Sequence, residues 1–169
     1  MDSVLVNKVA DSGIITLNLE QYLPEPSSIS EFDIKPFLFK EMIVREKDFR
    51  QSISEHDWSI YTGKHIAIFC SVDAIIPMWA YMLIASSLQP VAASVFYGTA
   101  DVLKTQLMIQ NIERIDNQAY IDKRVVIKGC GDVLLPENAF IAITQKLRPA
   151  VKSLMYGEPC STVPVFKKK

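Results

Sequence analysis

The sequence predicts an α/β fold: a mainly parallel sheet with helices on both faces, in three layers, and an N-terminal extended or β layer. Three observations lead there. From residue 65 onward, apolar runs of strand length alternate with helix-length segments, the pattern left by β-α-β crossovers. Those runs are apolar throughout rather than alternating, as strands covered on both faces are. At 169 residues with 49% apolar side chains, the chain can bury a core without a disulfide framework. The length predicts a single domain over 1–169, with the extended layer at 1–45 and the core at 46–169.

Taken in order, residues 13–23 (GIITLNLEQYL) alternate in part and read as a strand, and 23–28 (LPEPSS) as a loop. Residues 32–44 (FDIKPFLFKEMIV) read as a second extended piece, which Pro36 keeps at an edge or as a clasp. In 45–54, Phe49 and Ile53 lie four apart among charges, the mark of a short amphipathic helix. Residues 66–69 (IAIF) are a buried strand, and 74–88 a mostly apolar helix with Pro77 in its first turn. Residues 91–97 (VAASVFY) give the next strand. Thr99 is placed to cap a helix reaching residue 115, with Leu103, Leu107 and Ile112 as its buried stripe. Residues 124–128 (RVVIK) form the third core strand. Phe140, Ile143, Leu147, Val151 and Leu154 then recur at three- and four-residue steps, so 137–156 read as one helix kinked at Pro149. Gly157 closes it, and 162–166 (TVPVF) form an extended arm before three lysines. No internal repeat is read.

Charge and motifs narrow the function. Eighteen basic against nineteen acidic residues leave a net charge of −1, too little positive field to gather nucleic acid or an anionic membrane. Residues 74–100 carry no charge and could span a bilayer by length. Pro77, Ser86, Ser87, Gln89 and Pro90 divide the stretch into a buried helix and a buried strand, so no membrane partner is expected. Asp2 and Lys8 interrupt the first ten residues, which do not resemble a secretory leader, and a cytoplasmic location is expected. There is no G-x-G-x-x-G or P-loop, so no nucleotide cofactor is expected; G-x-S-x-G, H-E-x-x-H and C-x-x-C are also absent.

The remaining chemistry lies in three cysteines, Cys70, Cys130 and Cys160, whose odd number and wide spacing suit reduced thiols. Cys70 directly follows the strand at 66–69, and Cys130 follows 124–128 with only Gly129 between. Both therefore belong at carboxyl ends of strands, where parallel sheets form their ligand sites. If the core strands are ordered second, first, third, these two are neighbours about 4.8 Å apart; if third, second, first, about 10 Å apart. Asp73, three residues past Cys70, can aim a carboxylate into the same crevice, Cys160 lies in the polar loop after the last helix, and His56 precedes the first core strand. Thiolate with imidazole or carboxylate suits zinc or iron. Structural roles compete: the thiols as small buried hydrophobes, Asp73 as a helix N-cap, His56 and Asp57 as a helix end, His65, Trp58, Trp79 and Tyr81 as packing, and the three terminal lysines as a solvated tail.

The segments FLFKEMIVREKDF at 37–49, HDW at 56–58, CSVDAIIPMWAY at 70–81, KGC at 128–130 and GEPCSTVP at 157–164 together resemble an uncharacterised bacterial family, the domain of unknown function 2480. The resemblance covers nearly the whole chain. It implies no reaction, but it implies an association with iron–sulfur cluster assembly, and its motifs contain all three cysteines, His56 and Asp73.

Three expectations follow. The first is a metal- or sulfur-handling accessory protein that binds zinc or iron through some of Cys70, Asp73, Cys130, Cys160 and His56, with iron–sulfur assembly proteins as partners. The second is a sulfurtransferase or persulfide carrier in which Cys70 or Cys130 is the nucleophile, activated at a helix N-terminus. The third is a non-catalytic module that forms a homodimer through residues 13–44. Whether the protein is an enzyme stays open at this point.

Overall fold

Ile66, Ala67 and Ile68 are buried side by side within one short strand, and Val125, Val126 and Ile127 within another. Strands with no exposed side must sit between neighbours and beneath helices, and each of these two is an inner strand of its own sheet. The computed structural model describes residues 13–128, 131, 133–158 and 161–169. In chain order it runs β1 (Ile14–Leu17), β2 (Ile29–Asp33), α1 (Glu46–Glu55), β3 (His65–Phe69), α2 (Met78–Leu88), β4 (Ser94–Tyr97), α3 (Ala100–Glu113), β5 (Arg124–Ile127), α4 (Glu137–Leu147), β6 (Ser153–Glu158) and β7 (Ser161–Lys167).

The α/β class and the dominance of parallel pairing stand, and the strands divide between two sheets. One is ordered β2-β3-β4 and is parallel throughout. The other is ordered β1-β5-β6-β7; its first three strands are parallel and β7 returns antiparallel to β6. The chain correspondingly separates into two compact units, residues 24–106 and residues 1–23 with 107–169. Both N-terminal strands are outer strands of these sheets. Neither strand order considered from the sequence applies, because the strands preceding Cys70 and Cys130 belong to different sheets.

The helix expected over 137–156 ends at Leu147, and Ser153–Glu158 is strand β6. Pro149 has no N–H to continue the ladder and its ring clashes with the preceding turn, so it ends the helix rather than kinking it. The apolar spacing misled because Val151 and Leu154 are buried after the chain has left the helix.

The two units repeat one another at a constant offset of 59 residues, contrary to the expectation of no repeat. Asp57/Asp116, Tyr61/Tyr120, Lys64/Lys123, Pro77/Pro136, Ala80/Ala139, Ile84/Ile143, Leu88/Leu147, Pro90/Pro149, Tyr97/Tyr156 and Gly98/Gly157 are identical pairs. The bonds repeat too: Asp57 and Asp116 each accept the N–H two residues on, and the Gly63 N–H to Val91 carbonyl bond recurs as Asp122 to Ala150. Gly63 and Asp122 both take positive φ, 72° and 54°. The outer strands match as well, since Ile29 registers with His65 as Ile14 does with Arg124. The repeat escapes a reading by motifs because most matching positions keep only apolar character, which any buried position shares.

Each unit has its own core. Phe32, Phe49, Ile53, Ile66, Ile84 and Leu88 lead one, and their counterparts Leu17, Met108, Ile112, Val125, Ile143 and Leu147 lead the other. Among the described residues, no helix is long and apolar enough to cross a membrane.

Candidate functional site

In the unit formed by 24–106, β3 ends at Phe69 and delivers the half-buried Cys70 against the core beneath it. The segment beyond is held by Asp33, the last residue of β2. Its Oδ1 accepts the Ser71 and Lys35 N–H groups, each at 3.0 Å, and its Oδ2 accepts the Ser71 hydroxyl at 2.6 Å. Partial burial works against ionisation of Asp33, but the bonds from Ser71 and the Lys35 N–H outweigh it and hold the carboxyl below its usual range. Tyr81 and Tyr97 meet edge-on at 5.4 Å. Burial first, then the neighbouring Tyr97 hydroxyl and the Cys70 thiol, push the Tyr81 phenol up. The thiol thus lies against the apolar core, near the Tyr81 phenol.

Asp73 is exposed and makes no hydrogen bond or ion pair with described residues. It does not cap the following helix: α2 begins at Met78 with Pro77 at the cap position, because the chain spends 70–77 in an irregular loop that includes a bridge between Ile75 and Ile43. His56 lies within an aromatic cluster, with ring centroids 4.8 Å from Trp58, 5.5 Å from Phe37 and 5.6 Å from Phe32. The residue 59 positions on is Ile115, a buried core residue. His56 therefore fills a packing position.

In the other unit, the corresponding edge is a crevice of about 410 Å³ walled by Asn18, Glu20, Lys128, Gly131, Leu134 and Tyr156, among others. Asn18 repeats the turn made by Asp33, accepting the Glu20 N–H at 3.1 Å. The Glu20 carboxylate accepts the Val133 N–H at 3.1 Å and the Asn18 amide at 3.2 Å. It comes so close to Gly131 that a Cβ there would collide with it. Cys130 and Cys160 lie outside the described residues. Among the described residues, no three His, Cys, Asp or Glu side chains converge as a metal centre requires.

Asp33, Ser71 and Glu20 were not singled out from the sequence. The available signal was an Asx residue closing a strand just before a turn, at both Asn18 and Asp33, which favours side-chain capping of the turn.

A family model described as a protein of unknown function, DUF2480, matches residues 3–168. No curated protein and no solved structure matches the chain.

Proposed function

Because the chain belongs to this family of unknown function, its site has to be read from chemistry alone, and we propose an accessory protein that handles metal or sulfur at the carboxyl edge of β5 and β6. The supporting observation is that β5 and β6 are hydrogen-bonded parallel neighbours, with Ile127 opposite Tyr156. In sequence, Cys130 comes three residues after Ile127, and Cys160 two after Glu158. A chain reaches roughly 10 Å in three residues, and neighbouring strands are about 4.8 Å apart, so the sequence separations allow Cys130 and Cys160 to serve one ion. The Glu20 carboxylate at the same edge adds an oxygen donor. Thiolates with a carboxylate suit zinc or iron, and the family resemblance implies iron–sulfur assembly proteins as partners.

His56 packs within the aromatic cluster of the other unit and Cys70 with Asp73 follows a strand of the other sheet, so the proposed ligands come from the β5–β6 edge. A second reading, sulfur transfer through Cys70, is favoured by the Asp33–Ser71 clamp, which fixes the backbone next to that thiol.

The test is elemental analysis of full-length protein purified without a metal-affinity tag, with thiols counted before and after chelation. Near-stoichiometric zinc or iron, lost in Cys130→Ser and Cys160→Ser but kept in Cys70→Ser, is the expected result. Metal-free protein overturns the proposal. In that case a single fast-reacting thiol at Cys70 selects sulfur transfer.

A further inference from the structure

The repeat reveals a difference between equivalent edges. In one unit the outer edge of β6 is covered by β7, which pairs with it antiparallel from Ser153↔Lys167 to Glu158↔Ser161. The counterpart of β6 is β4, and in the sheet β2-β3-β4 its outer edge pairs with no strand among the described residues. Exposed strand edges are ordinarily protected by lysine, proline or a bulge. β4 reads Ser94-Val95-Phe96-Tyr97 and has none of these.

The surface beside that edge has changed in the same sense. Where the covered unit carries Glu137, Arg148 and Lys152, the open one carries Met78, Gln89 and Ala93. Ile75, Met78, Met82 and Tyr97 are 81%, 72%, 71% and 68% exposed, a group of large apolar side chains that water does not favour leaving bare. A cavity of about 440 Å³ opens next to β4, walled by Ile68, Met78, Tyr81, Ala85, Phe96 and Tyr97. The equivalent cavity in the other unit has Val165 of β7 among its lining residues.

We infer that the β4 edge and the exposed face of α2 form a homodimer interface, with β4 pairing antiparallel to β4 of a second copy. The β6–β7 pair shows that this edge geometry takes an antiparallel strand. A strand lying antiparallel to its own copy about a two-fold axis is self-complementary, so one surface supplies both partners. The segment 74–100, which holds both α2 and β4, contains no charged residue and so offers a charged partner no ion pair of its own. A second copy presents the same uncharged edge and the same apolar side chains. This interface is distinct from residues 13–44, where the sequence placed a dimer.

The experiment is analytical ultracentrifugation of the full chain over a range of concentrations, with Met82→Lys, Tyr97→Lys and Ile141→Lys. Ile141 is the counterpart of Met82 in the covered unit and is also exposed, so Ile141→Lys controls for the cost of placing a lysine on such a helix. The wild type is expected to dimerise, with Met82→Lys and Tyr97→Lys each weakening the dimer about tenfold or more and Ile141→Lys leaving it intact. Circular dichroism melts verify that each variant folds, and hydrogen exchange should show β4 amides gaining protection as concentration rises. A wild type that stays monomeric, or a dimer indifferent to both β4-side lysines, overturns the inference.

Discussion

Asp33 grips Ser71 with both carboxylate oxygens, Oδ1 on the backbone N–H at 3.0 Å and Oδ2 on the hydroxyl at 2.6 Å, across 38 residues of sequence. This ties the end of β2 to the residue after Cys70. Asp33→Ala hands the exposed Ser71 N–H and hydroxyl over to water and should cost about 0.5–1.5 kcal/mol. Asp33→Asn should cost less, because Asn18 makes the matching turn in the other unit. Chemical denaturation measures both costs, and alkylation of Cys70 should be faster in the alanine variant.

The same carboxyl carries a pH dependence. Its folded value lies below the ordinary 3.8, so the ionised form is the one the fold favours. That contribution is present above pH 3.8 and is lost as pH falls through the depressed folded value. Acid titration of stability should show this loss in the wild type and not in Asp33→Asn.

His56 packs where the repeat places Ile115. His56→Leu should therefore leave the melting temperature nearly unchanged, whereas His56→Ala, which opens space among Phe32, Phe37 and Trp58, should cost about 2 kcal/mol. Neither should alter metal content. A large loss of bound zinc or iron in His56→Leu would return this residue to the ligand set.

Tyr22 is pushed up to about 12, first by burial and then by the adjacent Tyr120 phenol. A phenol whose folded value exceeds its unfolded value near 10 favours the fold while protonated. Its contribution is complete below pH 10 and disappears as pH rises from about 10 to about 12. Tyr22→Phe should flatten that alkaline decline in melting temperature. Phe37, at the matching position of the other unit, shows that the site accepts a ring without the hydroxyl.

Gly98 and Gly157 are repeat partners with φ of 140° and 123°, values that side-chain-bearing residues rarely adopt. At Gly98 an added Cβ meets the Phe96 ring at 3.2 Å and the Val102 Cβ at 3.7 Å, whereas at Gly157 it meets the Ser161 carbonyl at 2.5 Å. Both alanine variants should destabilise by about 1–3 kcal/mol, with Gly157→Ala the worse. Hydrogen exchange should show β7 released in Gly157→Ala and retained in Gly98→Ala.

The sequence by itself determined the α/β class, β3, β4 and β5, α1 and α3 to within a few residues, and the placement of Cys70 just beyond a strand end. These follow from local periodicity, from proline and glycine chemistry, and from composition. Only the tertiary structure decided that β3 and β5 lie in different sheets. Strands pair through backbone groups that every residue carries, so an apolar run such as IAIF or RVVI records that it is buried and not beside what. The end of α4 was missed for a related reason: Val151 and Leu154 are buried in helical phase although the chain there has turned into a strand. The site followed the same division. Cys70 at a strand end was legible, but the Asp33 clamp, the closeness of Glu20 to Gly131 and the aromatic surroundings of His56 join residues far apart in sequence, and only packing brings them together.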